Sequence, residues 1–293
     1  MHNFKKPQKS IADSLNEVGS GLKSPKKNFF ANTKDRLAVL FDDYNDKASN
    51  DALHTLKPEW PINTCDDAAT KVTKNENRKN ANGLYNSDRL FVNKHWETLK
   101  DNNNGEIPYC PICGLNECEE MDHYVPRDED KFPEYSTHLD NLIPLCHSCN
   151  HKKSNKFIGE DGERLYFNAY YDKLEYRDII VATIELSTLD GLPQIVLSVN
   201  PKLSKMVAPD KYILSTIDDL NLMQRFNERA KLQLREEMTR LSVRAGQSWD
   251  IIREEMNKMA TPIDGDPDII KPTVMRAIAQ SLDMEKWFNN LCP

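Results

Sequence analysis

The sequence contains no run of 18 consecutive apolar residues, so a membrane-spanning helix is not expected. It has no glycine-rich phosphate loop, which argues against nucleotide binding or ATP hydrolysis by this chain itself, and no internal repeat. Its first residues, Met1-His-Asn-Phe-Lys5-Lys6, have no apolar core behind the lysines, so a secretory signal is not expected either. An excess of positive charge is also missing: 39 Lys and Arg stand against 46 Asp and Glu, a net charge of −7. That balance does not announce a nucleic-acid binder, and any phosphate contact must come from a local concentration of lysine or arginine. Disulfide staples are not suggested, because the seven cysteines are odd in number. Four of them fall in two tight pairs and Cys65, Cys118 and Cys292 are left over, which favours a reducing cytoplasmic setting.

The most informative stretch is 110–156. It opens with Cys110-Pro-Ile-Cys113, passes through Met121-Asp122-His123-Tyr124-Val125-Pro126, and closes with Asn141-Leu-Ile-Pro-Leu-Cys146-His-Ser-Cys149-Asn150-His151-Lys152-Lys153. Two Cys-x-x-Cys knuckles separated by 32 residues supply four thiolates, the number that closes a structural tetrahedral zinc site and leaves no open position for water. Four unrelated core cysteines are the blander reading, but core cysteines do not usually come as paired knuckles. A redox pair would not need a twin. His147 and His151 can also bind zinc, and Cys118 lies close enough in sequence to be an alternative ligand.

Between the knuckles, His123 is the side chain suited to accept a proton near neutral pH. Asp122 beside it is a hard oxygen ligand for a cation such as magnesium, and the Asn150 amide oxygen, at the start of a lysine-rich helix, is a second. Asn141 opens an apolar strand-like run, where its amide can hold a loop by hydrogen bonds. The acidic residues around them (Glu117, Glu119, Glu120, Asp128, Glu129, Asp130) read as a solvated surface, Asp122 excepted.

Taken together, Cys110/Cys113, Asp122-His123 with Pro126, Asn141-Leu142 with Leu145, Cys146/Cys149, and Asn150 with Lys152, Lys153 and Lys156 resemble the zinc-knuckle branch of the HNH nucleases. The resemblance spans about 50 of the 293 residues and implies a ββα-metal finger: a strand ending near Asp122-His123, a strand from Asn141, and a helix from Cys149. It implies His123 as general base, Asn141 as the residue that orients the loop, and Asn150 as a ligand of a catalytic Mg2+ or Mn2+, with Asp122 the other. It also implies that Cys110, Cys113, Cys146 and Cys149 hold a structural Zn2+. The substrate it implies is DNA. Met121-Asp-His-Tyr-Val-Pro, Lys131-Phe-Pro-Glu-Tyr-Ser136 and the 141–150 run further resemble the PtuB-type HNH subunits of Septu and retron-linked anti-phage systems. Those subunits work beside a separate, PtuA-like ATPase within a larger defence complex. Two other readings remain: a stand-alone restriction- or homing-type nuclease, and a non-catalytic zinc module that binds nucleic acid or protein. The Asp122-His123 pair separates the last from the others, since a structural zinc finger has no use for it.

The expected fold class is α+β: the braced finger lies between mainly helical regions and is followed by a small β-hairpin. Three segments are expected: a helical region with a flexible basic arm over 1–100, the nuclease core over 101–172, and a hairpin plus helices over 173–293. Residues 1–100 carry 17 Lys and Arg against 13 Asp and Glu, whereas 101–160 carry 5 against 12. Within the arm, 1–30, the apolar residues Ile11, Leu15, Val18 and Leu22 allow at most a turn or two of helix. Apolar spacing predicts helices over 33–56 and 84–99, with loop or weak helix over 62–82. His54 and His95 read as packing or surface residues. The aromatic run Leu165–Tyr171 reads as packing against the finger, with base stacking as the alternative. Residues 178–187 and 193–199 read as a hairpin turning at Asp190-Gly191. Helices follow over 212–245, with room for a break within it, 248–260 and 272–291, and Asp264-Gly265-Asp266-Pro267 is a loop without a calcium-ligand pattern.

Overall fold

The computed structural model describes residues 1–6, 8–87, 90–102, 105–173, 179–203, 210–261 and 268–291. The 264–267 loop and Cys292 lie outside these residues. The chain is α+β and divides into two compact units: residues 2–112 with 116–173, and residues 174–293 with Met1 and 113–115.

The first unit begins with α1 (Ile11–Ser20) and α2 (Lys26–Ser49). Helix α1 is therefore longer than the turn or two of helix that its few apolar residues suggest. Ser10 caps α1 by accepting the Asp13 N–H at 3.1 Å, and Leu15, Val18 and Leu22 are buried. Leu15 and Val18, three residues apart, fall on one face of α1, which packs on α2, and Leu22 is buried just past its end. Upstream of α1, the His2 and Phe4 N–H groups donate to the Pro111 and Ala169 carbonyls, both at 2.9 Å. Helix α2 starts earlier than the spacing suggests and buries Phe30, Leu37, Leu40, Phe41 and Tyr44. The polar stretch predicted as loop or weak helix is α3 (Ala68–Ser87), buried only towards its end through Ala81, Leu84 and Tyr85. Helix α4 (Leu90–Asp101) follows. His95 on α4 is buried, and its Nε2 lies 3.2 Å from the Leu142 carbonyl.

Strands β1 (Glu120–His123) and β2 (Leu142–Leu145) pair antiparallel, with Asp122 opposite Ile143 and His123 opposite Leu142. Helix α5 (His147–Lys153) comes directly after β2 and packs on β1, which completes a ββα unit. Tyr166, Phe167 and Tyr170 are buried, and the Tyr170 hydroxyl donates to the Leu142 carbonyl at 3.0 Å. Tyr166, Phe167 and Tyr170 are thus packing residues, while Tyr171 is half-buried and donates to Asp140 at 2.5 Å.

The second unit is built on the hairpin β3 (Ile180–Leu186) and β4 (Pro193–Val199), which turns through Gly191 at φ +69°. Pro193, Ile195 and Leu197 are buried while Gln194, Val196 and Ser198 are exposed, the period-two pattern of a sheet covered on one face. Around it lie α6 (Asp210–Asp219), α7 (Leu222–Ser242), α8 (Trp249–Met259), α9 (Ile270–Gln280) and α10 (Leu282–Asn289). The 212–245 helix breaks at Asn221, which takes the left-handed conformation at φ +50° that asparagine tolerates better than most side chains. The 272–291 helix breaks at Ser281, whose extended backbone ends α9 and whose hydroxyl accepts the Met284 N–H at 3.2 Å. Among the described residues no helix is long and apolar enough to cross a membrane.

Candidate functional site

The four cysteines of the two knuckles meet. Cys110, Cys113, Cys146 and Cys149 are fully buried, none is in a disulfide, and their sulfurs all lie within 4.8 Å of one another. A tetrahedral thiolate site with Zn–S bonds of about 2.3 Å places its sulfurs about 3.8 Å apart, so this donor set fits zinc. Cys118 is buried but is not part of the cluster, and Cys65 is exposed. The brace sits at both ends of the ββα unit: one knuckle precedes β1 and the other starts α5.

Strand β1 brings Asp122 and His123 into the interior, where each is only 8% exposed. The His123 Nε2 lies 2.9 Å from the Ser136 carbonyl. A carbonyl only accepts, so Nε2 carries the hydrogen and Nδ1 carries the lone pair. The edge-to-face contact with Tyr85 of α3, at 4.6 Å between ring centroids, fixes the imidazole plane. Burial lowers the His123 pKa to about 3; the Ser136 hydrogen bond opposes this, and Arg127 and Lys153 add to it. The imidazole is therefore neutral at physiological pH.

Asp122 faces the ammonium of Lys153 at 2.7 Å, and both side chains are buried. Burial pushes the Asp122 carboxyl above its usual range although Lys153 pulls the other way. The same ammonium donates to the His123 carbonyl at 2.9 Å. Lys153 thus ties α5 to the two β1 residues with the strongest chemistry.

Asn141 is completely buried at the entrance to β2. Its Oδ1 accepts the Val125 N–H at 2.7 Å and the Tyr44 hydroxyl at 3.1 Å, and its Nδ2 donates to the Val125 and Tyr135 carbonyls at 3.0 and 3.2 Å. All of its hydrogen bonds go to the protein, and they hold the 124–125 segment to the 135–141 loop.

Asn150 is half-buried on α5, and its Nδ2 donates to Glu120 Oε2. The other Glu120 oxygen receives His147 Nδ1 at 2.8 Å. The His147 hydrogen bond comes first among the causes that hold the Glu120 carboxyl below its usual range, and the same bond raises the His147 imidazole. Asp122 and Asn150, the two oxygen donors read from the sequence, therefore stand on adjacent elements, each with its own charged partner. Both are hard oxygen donors, which suits magnesium or manganese.

Sequence reasoning missed Lys153 as the partner of Asp122, and Glu120, which read as solvated surface. It also missed Tyr85 and Ser136, which orient His123. Two-residue alternation places Glu120 on the Asp122 face of β1, and that was the one signal available for it. No local pattern points to Tyr85 or Ser136.

Arg127, four residues beyond His123, lies over the Tyr85 ring at 4.8 Å and donates to the Asn82 side chain. It supplies positive charge beside the imidazole in a segment that is otherwise acidic.

Residues 110–156 match the family model of the HNH endonucleases. The match spans both knuckles and the ββα unit, so the chain carries an HNH endonuclease domain with a four-cysteine cluster of the zinc type. Among curated proteins, the chain is similar to Protein ea31 of Escherichia phage lambda. The two are 24% identical over 178 residues, covering 57% of this chain and 55% of that protein, so the chain spans about half the length of this relative. No solved structure matches.

Proposed function

We propose that the protein is a metal-dependent endonuclease that hydrolyses phosphodiester bonds of DNA, with His123 as its general base. The observation that carries this reading is the state of His123: a neutral imidazole with Nε2 committed to the Ser136 carbonyl and its ring plane set by Tyr85. A histidine held this way accepts a proton at Nδ1 from water. Its low proton affinity belongs to the substrate-free site, and the negative charge of an approaching phosphate favours the imidazolium.

Asp122 and Asn150 would hold the divalent cation, magnesium or manganese, which supplies charge stabilisation at the phosphate and the leaving oxygen. Lys153 keeps the buried Asp122 charge compensated. Asn141 keeps the loop that carries Ser136, and so the imidazole, in place. The guanidinium of Arg127 is suited to a backbone phosphate beside His123. Supercoiled plasmid incubated with the zinc-loaded protein tests the reading. Nicking with Mg2+ or Mn2+ that stops when the divalent ion is omitted supports it, and nicking that persists without a divalent ion contradicts it.

At a finer level, we read the chain as the effector nuclease of a bacterial anti-phage complex with a separate ATPase. Two features support this: the resemblance of residues 121–150 to such subunits, and the net charge of −7, which makes DNA capture by this chain alone weak. Restraint by a partner also suits a nuclease made inside its own host. Co-expression with the products of neighbouring genes, followed by size-exclusion chromatography, separates this from a stand-alone nuclease. Co-elution with an ATPase and cleavage gated by the complex support it. Full activity of the isolated chain, with no association, overturns it.

A further inference from the structure

The second oxygen donor of the site depends on a residue that the ββα pattern does not name. Glu120 opens β1 and, by strand alternation, points to the same side as Asp122. His147 and Asn150 stand three residues apart on α5, on one helix face. Glu120 spans the two elements and gives one oxygen to each α5 side chain: Oε1 to His147 Nδ1 at 2.8 Å and Oε2 to Asn150 Nδ2. The two bonds together set the carboxylate plane.

Chemistry assigns the two ends of the Asn150 amide. An ionised carboxylate only accepts, so the amide end facing Glu120 is the NH2 group. The Asn150 Oδ1 is then the end left for a cation. We propose that Glu120 is a positioning residue of the cation site, which locks the Asn150 amide with its oxygen available and is itself locked by His147.

The proposal rests on the nuclease reading, in which Asn150 is a cation ligand. It makes the site reciprocal: the β1 donor Asp122 is held by Lys153 of α5, and the α5 donor Asn150 is held by Glu120 of β1. Residues that orient metal ligands in this way typically change metal affinity by about 10–100-fold when removed.

The test uses the full zinc-loaded chain and two measurements. The first is NMR of the Asn150 side-chain amide without divalent cation. Its hydrogens should be shifted and slow to exchange in the parent, and should lose both properties in Glu120→Ala. The second is Mn2+ titration followed by electron paramagnetic resonance, on the parent, Glu120→Ala, Glu120→Gln, Asn150→Ala and the Glu120→Ala/Asn150→Ala double variant. Glu120→Ala should weaken Mn2+ binding about 10–100-fold, and Glu120→Gln, which can still accept from the amide, less. In the Asn150→Ala background, Glu120→Ala should cost nothing further, because its route to the cation is gone.

An unchanged Asn150 amide signal in Glu120→Ala overturns the proposal whatever the protein's activity. So does an undiminished loss in the Asn150→Ala background, which would make Glu120 a ligand in its own right. Mn2+ affinity indifferent to Asn150→Ala overturns the ligand assignment beneath it, a failure distinct from the other two.

Discussion

Lys153→Met removes a buried ammonium and leaves a side chain of similar length. In the parent, the Lys153 and Asp122 side chains are 4% and 9% exposed, and the ammonium donates to the Asp122 carboxylate at 2.7 Å and to the His123 carbonyl at 2.9 Å. Deleting one member of such a pair strands the other charge away from water, which typically costs about 3–5 kcal/mol. The sign of the pH dependence follows from Asp122. Burial already raises its folded-state pKa above the unfolded value, so its contribution is most favourable below the unfolded carboxyl pKa and declines as pH rises through the folded one. Without Lys153 the folded pKa rises further, so the variant's deficit grows from acidic to alkaline pH. Urea unfolding of parent and variant at pH 5 and pH 8, both zinc-loaded, measures this. We expect a deficit of about 3–5 kcal/mol at the higher pH, a smaller one at the lower, and partial recovery with Mn2+ as the cation replaces the lost charge. A deficit under about 1 kcal/mol, the size of an exposed ion pair, or one no smaller at pH 5, would refute the reasoning.

Other perturbations follow from the same geometry. Purified protein should carry about one zinc per chain by elemental analysis, and Cys146→Ser or prolonged chelation should unfold the ββα unit in circular dichroism. Asn141→Ala strands the Val125 N–H, the Val125 and Tyr135 carbonyls and the Tyr44 hydroxyl; it should cost about 3 kcal/mol or more in urea unfolding, so that lost activity is partly lost fold. His95 and His138 are buried neutral, their pKa lowered from 6.5 to about 4 mainly by burial. Their contribution is complete above pH 6.5 and is lost as pH falls towards 4, so His138→Gln should flatten the acid limb of a stability–pH curve. Glu134 is raised by burial to about 7, so its contribution is lost as pH rises through that value; Glu134→Gln should flatten the opposite limb.

The four-cysteine cluster was legible because paired thiolate knuckles leave few alternatives, and the fold sets those cysteines together around a ββα unit. The helices after 210 were legible because their apolar residues recur every three or four positions. The exact places of their interruptions were less so, since the left-handed backbone of Asn221 and the extended backbone of Ser281 are not set by residue type alone. Helix α3 was obscured because its first half is mostly polar, with Val72 exposed, and its hold comes from three residues near its end. The length of α1 was not legible because its buried apolar residues, Leu15 and Val18, are few on average although they share one face. Glu120 misled for another reason: its partners His147 and Asn150 lie 27 and 30 residues further on, and an acidic residue among acidic residues gives no sign of that pairing.

The central claim is that His123 delivers the proton-accepting step of phosphodiester hydrolysis. Its most direct test is the plasmid-cleavage rate of the parent and of His123→Ala in Mn2+, at matched zinc content and with folding verified by circular dichroism. The account predicts cleavage by the parent and its loss by about 100-fold or more in the variant, the size of a general-base contribution, with zinc retained in both. Cleavage by His123→Ala at the parental rate would contradict it.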